Sequence, residues 1–330
     1  MSKQASFVRC VWLACGILVF VPAAGVGAEL LEPKPLAEDA VAEKSAQLAD
    51  GRIVFCALDA RMEGDTARLE SQPGHPHVGF WTNPKDAVSW QYKPTRWGRY
   101  DVELAYAAEG GDGTELAVEI AGQTLSARRL STGSWSRYAT LPVGRVYIAK
   151  AEPFTVRVRC RSLAGGAVMN LHSVLLRPAP EGEPIVQEPV GGGVILRARD
   201  AITHSTVMRY EPATNKNCLG YWVNPRDWAE WRFELTKPGA FEVELWQGCG
   251  RGQGGSDVEV ETAGAKLSFQ VEDTGHFQNF VPRQIGRVTF GQAGQQTLLI
   301  RPARQQAGAV MDIREVRLVP VTPAIIPKVP

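Results

Sequence analysis

Three charged residues recur in pairs along the chain and are the first candidates for chemistry: Arg68 with Arg209, Glu70 with Glu211, and Asp86 with Asp227. Paired carboxylates are what general acid and base catalysis requires. A set present twice is more simply an arginine–carboxylate brace across strands, with hydrolysis of a glycoside or sulfate ester as the lesser alternative. The usual catalytic templates are absent: there is no Gly-x-Ser-x-Gly elbow, no His-Glu-x-x-His and no Cys-x-Pro-x-Arg. His75-Pro76-His77 has no second cluster to complete a zinc shell, no Cys-x-x-Cys occurs, and none of the five histidines has a histidine counterpart. Gly250-Arg251-Gly252-Gln253-Gly254-Gly255 satisfies Gly-x-Gly-x-x-Gly, but an alternating strand pattern follows where a phosphate-cradling helix is required. It reads as a flexible loop between strands. No catalytic residue is assigned, and binding is favoured over turnover.

The elements that must position these residues are set by an internal repeat. Gly79-Phe80-Trp81-Thr82-Asn83-Pro84-Lys85-Asp86 returns as Gly220-Tyr221-Trp222-Val223-Asn224-Pro225-Arg226-Asp227, an offset of 141. The register holds through Trp90 and Trp231, Gly98 and Gly239, and Val102-Glu103-Leu104 and Val243-Glu244-Leu245. One residue is gained in the glycine-rich loop, after which Thr132-Gly133 meets Thr274-Gly275, Gly144-Arg145-Val146 meets Gly286-Arg287-Val288, and Ala167-Val168-Met169 meets Ala309-Val310-Met311. Within each copy the period is two: Tyr100, Val102, Leu104 and Tyr106 alternate with Asp101, Glu103 and Ala105, so these are half-buried strands. Pro238-Gly239 has the order of a type II turn. Many short strands with glycine-bearing turns predict an all-β fold of two tandem antiparallel β-sandwich domains of jelly-roll type, almost without helix after residue 51. Trp90 and Trp231 belong in the interior.

The expected boundaries are a signal peptide at 1–28, a polar lead-in of helical potential at 29–50, the first sandwich at 51–178, a Pro/Gly/Glu linker at 179–191, the second sandwich at 192–320 and a tail at 321–330. Lys3 and Arg9 precede an apolar run from Cys10 that Pro22 ends, and Val26 and Ala28 suit a cleavage site. The run falls short of the roughly 20 residues that span a bilayer, so cleavage is favoured over a signal anchor, and a lipoprotein reading through Cys15 is weaker still. The mature chain is expected in a bacterial periplasm or outside the cell, without a membrane span. Cys56, Cys160, Cys218 and Cys249 would remain, two per copy, compatible with one disulfide each. Parity leaves each bridge open, since Cys56 aligns with Arg197 at an outward position while Cys160 continues the inward series of Val156 and Val158. With 36 Lys+Arg against 35 Asp+Glu, the net charge of +1 gives no field that would hold nucleic acid or anionic lipid.

The order of an Ala-acid step, Gly-aromatic-Trp with a following Asp, Thr-Gly-x-aromatic, Gly-x-Val and a closing Asp312-x-x-x-Val316-x-Leu318 resembles the galactose-binding-like sandwiches, including family 6 and family 35 carbohydrate-binding modules. The Ala-Val-Met-Asp/Asn segments are similar to domains attached to secreted bacterial sulfatases and fucosidases. The resemblance spans both copies, in short motifs. It implies that Phe80 with Trp135, and Tyr221 with Phe277, face each other across a sugar-binding cleft, although Ala-Val-Met replaces the family's polar residue beside it. It also implies a structural calcium held by Asp200 with Asp312, and more weakly by Asp59 with Asn170. The expected function is exported, non-catalytic binding of a polysaccharide or glycan through two modules. The alternative is a structural or protein-interaction module of the cell envelope, with an envelope protein or enzyme as partner and no sugar site.

Overall fold

Alternation of apolar and polar residues places a strand at the centre of each half. In Gly98–Ala108, Tyr100, Val102, Leu104 and Tyr106 are fully buried while Asp101 and Glu103 are not. Gly239–Cys249 does the same with Phe241, Val243 and Leu245. Each of these strands pairs antiparallel on both sides, with Ser134–Ile148 and Asn170–Ala179 in the first half and with His276–Phe290 and Asp312–Pro320 in the second. The computed structural model describes residues 34–36, 44–71 and 75–321. The expected signal segment and tail residues 322–330 lie outside them.

A second sheet covers each of these. In the first half its order is Gln123–Arg129, Thr114–Ile120, Phe154–Ser162, Ala87–Tyr92, Arg61–Glu63. In the second half Ala265–Gln270, Asp257–Thr262, Gly294–Arg304 and Trp228–Leu235 follow the same order. The inward faces meet in two separate cores, one drawn from residues 53–176 and the other from 194–318. Trp90 and Trp231 lie inside them and donate Nε1–H to Cys56 O and Arg197 O, at 2.9 and 2.8 Å. The molecule is all-β; among the described residues only two 3₁₀ turns, Ala57–Asp59 and Ala198–Asp200, interrupt the strands. No helix among the described residues is long and apolar enough to cross a membrane.

Equivalent positions adopt equivalent strain. Gly144 and Gly286 have φ of +146° and +150° and sit at matching β-bulges of the long outer strands. Gly98 and Gly239 have φ of +137° and +156°, well beyond the value near +80° of a type II turn, so the Pro238-Gly239 expectation is corrected: the glycine opens the strand directly.

The lead-in also differs from expectation. Where described it is extended, not helical: Lys34–Pro35 pairs with 139–140 and Ala46–Gln47 with 53–54, because free edge strands of the first sheet accept it. The segment between the sandwiches is laid onto the second one. Ile185–Val186 joins Phe233–Glu234 in parallel, and Gln187 Oε1 accepts hydrogen bonds from Thr236 and Lys237. The four cysteines are buried thiols. Cys160 belongs to the first core and Cys56 does not, as parity indicated.

Candidate functional site

The tight connection after His77–Gly79 throws Phe80 outward, and the one after Cys218–Gly220 does the same to Tyr221. Both residues occupy the left-handed region, at φ +53° and +61°, which bulky L-residues avoid. Both remain about half exposed, at 51% and 48%. Beneath them lie the arginines of the preceding strand: the Arg68 guanidinium is 3.5 Å from the Phe80 ring centroid, and that of Arg209 is 3.6 Å from Tyr221.

Each ring lines a cleft at the same end of its sandwich. The first, about 440 Å³, is formed by Phe80, Trp81 and Trp135 with Glu70, Glu109 and Asn170 among its polar groups. The second, about 230 Å³, is formed by Tyr221, Trp222 and Phe277 with Glu211, Lys216, Gln278 and Asp312. Phe80 is thus brought together with Trp135, and Tyr221 with Phe277. Trp135 is fixed from below where Asn170 Nδ2 donates to its carbonyl at 2.9 Å. Phe277 packs on glycine: a Cβ on Gly250 would fall 2.5 Å from its ring, so the glycine-rich loop is a platform for this aromatic. That loop is held by Gly252 N–H donating to Asp273, whose carboxylate is fixed in its own turn by Gly275 N–H, and a strand follows the loop.

The recurring charged set is not a brace. Arg68 and Arg209 stack on aromatics, because the residue opposite Arg68 and Arg209 in the hairpin is glycine, next to the outward ring. Asp86 is buried and accepts from Asp65 N, Thr66 N, Thr66 Oγ1 and Ala67 N at 2.7–3.1 Å. Burial pushes its carboxyl up, but these hydrogen bonds outweigh it and hold the group below the ordinary value. Asp227 accepts from Ser205 Oγ at 2.5 Å, and burial raises its pKa. Both acids tie loops together.

Glu70 and Glu211 do reach the clefts, each beside a residue that the repeat exchanges. At 77 and 218 stand His77 and Cys218, and at 170 and 312 stand Asn170 and Asp312. In the first copy His77 Nε2 lies 2.9 Å from Glu70 Oε2 and Tyr138 Oη lies 2.8 Å from His77 Nδ1. His75 and His172 flank Tyr138, but their ring nitrogens form no metal-binding group among the described residues. In the second copy Glu211, Cys218 and Asp312 are buried, with one donor atom each within 4.8 Å of one another. Cys218 Sγ–H donates to Asp312 Oδ2 at 3.5 Å, and Lys216 Nζ donates to Glu211 at 2.9 Å. Burial pushes Asp312 up to about 7, and burial with the adjacent Asp312 carboxyl raises the Cys218 thiol. A thiol with two carboxylates suits a borderline divalent ion better than calcium.

The residues of the implied calcium sets stand among different neighbours. Asp200 lines a groove with residues 180–186 and has Arg199 Nε at 3.6 Å, whereas Asp312 lines the aromatic cleft and is bonded by Cys218 and Gln278. Asp59 is exposed and accepts from Ser45, while Asn170 Nδ2 donates to Trp135 O. Asp59 and Asp200 sit on the 3₁₀ turns, and neither belongs to the one metal-ligating cluster of three among the described residues, Glu211, Cys218 and Asp312.

No family profile and no curated protein sequence matches the chain. Solved structures similar to it include a family 35 carbohydrate-binding module from Clostridium thermocellum, at 18% identity over 38% of this chain and 96% of that one, with a TM-score of 0.33. A family 35 module from Cellvibrio japonicus matches at 18% over 38% of this chain and 91% of that one, TM-score 0.32. Paenibacillus xanthan lyase matches at 15% over 82% of this chain, which spans 26% of that enzyme, TM-score 0.35.

Proposed function

We propose that the chain is an exported, non-catalytic carbohydrate-binding protein in which each sandwich holds a sugar in its aromatic cleft. The observation that carries this reading is the strained aromatic at the same place in both copies. Glycine would occupy φ near +55° without strain, yet Phe80 and Tyr221 stand there, half exposed, each over an arginine and in one cleft with a second aromatic. Aromatic faces stack on the C–H side of a pyranose, and the surrounding carboxylate, amide and hydroxyl groups of Glu70, Asn170 and Ser136, or of Glu211 and Gln278, suit its hydroxyls. The recurring acids Asp86 and Asp227 are committed to loop hydrogen bonds, which favours recognition over turnover. Export rests on the basic, apolar and small-residue order of residues 1–28.

The test is retention of the full mature chain on a panel of immobilised neutral and acidic polysaccharides. Retention on at least one of them, weakened by Trp135→Ala and by Phe277→Ala, is expected. Retention on none, or retention indifferent to both changes, overturns the reading.

A further inference from the structure

The two clefts are not built alike, because the first sandwich reaches into the support of the second. Arg209 lies between two rings: its guanidinium carbon is 3.6 Å from the Tyr221 centroid and 3.6 Å from that of Trp97, which belongs to the first sandwich. The corresponding Arg68 is exposed and, among the described residues, stacks on Phe80 alone. Arg209 is only 6% exposed, and its Nε finds no hydrogen-bond partner. Its Nη1 donates to Val207 O, its side chain also meets the Tyr221 hydroxyl, and Glu211 attracts it at longer range without forming a salt bridge among the described residues, so the two π faces are its closest cover.

Trp97 is delivered there by its neighbours. Buried Arg96 donates from Nη1 to Thr203 Oγ1 and to Met208 O, the carbonyl just before Arg209, and Thr95 Oγ1 donates to Thr206 O. The repeat register sets Trp97 against Pro238, so the sandwich fold itself does not demand an aromatic at this position. The tryptophan is explained by what it touches across the junction.

We infer that Trp97 is a positioning residue for the second cleft: it clamps Arg209 against Tyr221, so that the first sandwich sets the recognition ring of the second while the first cleft stands alone. The inference deepens the proposed sugar-binding reading and rests on it for its functional consequence, but the clamp itself is a structural claim with its own readout. Stacking on Arg209 from one side restricts the guanidinium, and the guanidinium restricts the tyrosine ring on its other side. Sugar binding in the second cleft then requires less ordering than in the first.

Two substitutions in the full chain separate the π face from mere bulk: Trp97→Leu fills space without it and Trp97→Phe keeps it. The chain is labelled with 3-fluorotyrosine, and the Tyr221 ¹⁹F signal is assigned by its loss in Tyr221→Phe. Trp97→Leu should shift or broaden that signal, with Trp97→Phe staying close to the parent. Binding of the retained glycan, measured in a Trp135→Ala background that silences the first cleft, should weaken about tenfold in Trp97→Leu and little in Trp97→Phe. In a Phe277→Ala background, where the first cleft reports, neither change should matter. An unmoved Tyr221 signal in Trp97→Leu overturns the clamp, as does equal weakening of both clefts. If no glycan binds the parent, the sugar reading fails while the fluorine signal still decides the clamp.

Discussion

Phe80 and Tyr221 sit in backbone conformations that cost about 1–2 kcal/mol for a non-glycine residue, and the cost is borne twice. Removing the opposing ring should therefore uncouple stability from binding. Trp135→Ala and Phe277→Ala are each expected to weaken glycan binding in their own cleft by about tenfold or more, as read by affinity electrophoresis. A second residue-scale prediction concerns Asp312, whose carboxyl burial holds up at about 7 while the unfolded chain has it near 4. The folded state therefore favours the neutral acid, and that stabilisation, complete below about pH 4, is lost as pH rises toward and through 7. Asp312→Asn, which copies the first repeat's Asn170, should match the parent at pH 4 and exceed it by on the order of 2–4 kcal/mol at pH 8 in urea denaturation. A parent with no such slope between these pH values would contradict the assignment.

At the scale of elements, alternation and glycine punctuation made the strands legible, since Tyr100, Val102 and Leu104 follow the period-two rule without exception. The aromatic pairs were legible because both members lie beside short turn motifs that recur. The support beneath them was not. Arg68 and Arg209 looked like partners for carboxylates, and only the hairpin register, which sets each against a glycine, turns them to the rings. The convergence of Glu211, Cys218 and Asp312 joins three different strands, and Trp97 acts across the junction; neither distance is written in local sequence. The bulge glycines give a direct check on the shared scaffold. A Cβ on Gly144 would lie 3.3 Å from Leu125, and on Gly286 3.1 Å from Leu267, each at strongly positive φ. Gly144→Ala and Gly286→Ala should each destabilise the chain by about 1–2 kcal/mol or more in thermal unfolding.

For the whole molecule, the two cores are separate but the junction is ordered: 185–187 is hydrogen-bonded to the second sandwich, and Arg96 pins the first to it. The clefts are therefore held in fixed relation rather than on a loose tether, and bivalent attachment will depend on whether a glycan's own repeat matches that geometry. The central claim is that one chain carries two sugar sites. Isothermal titration of the full chain with a short oligosaccharide of the retained glycan tests it most directly. Two sites per chain are predicted, falling to one in either Trp135→Ala or Phe277→Ala and to none in the double variant. Heat of binding that persists unchanged in the double variant would contradict it.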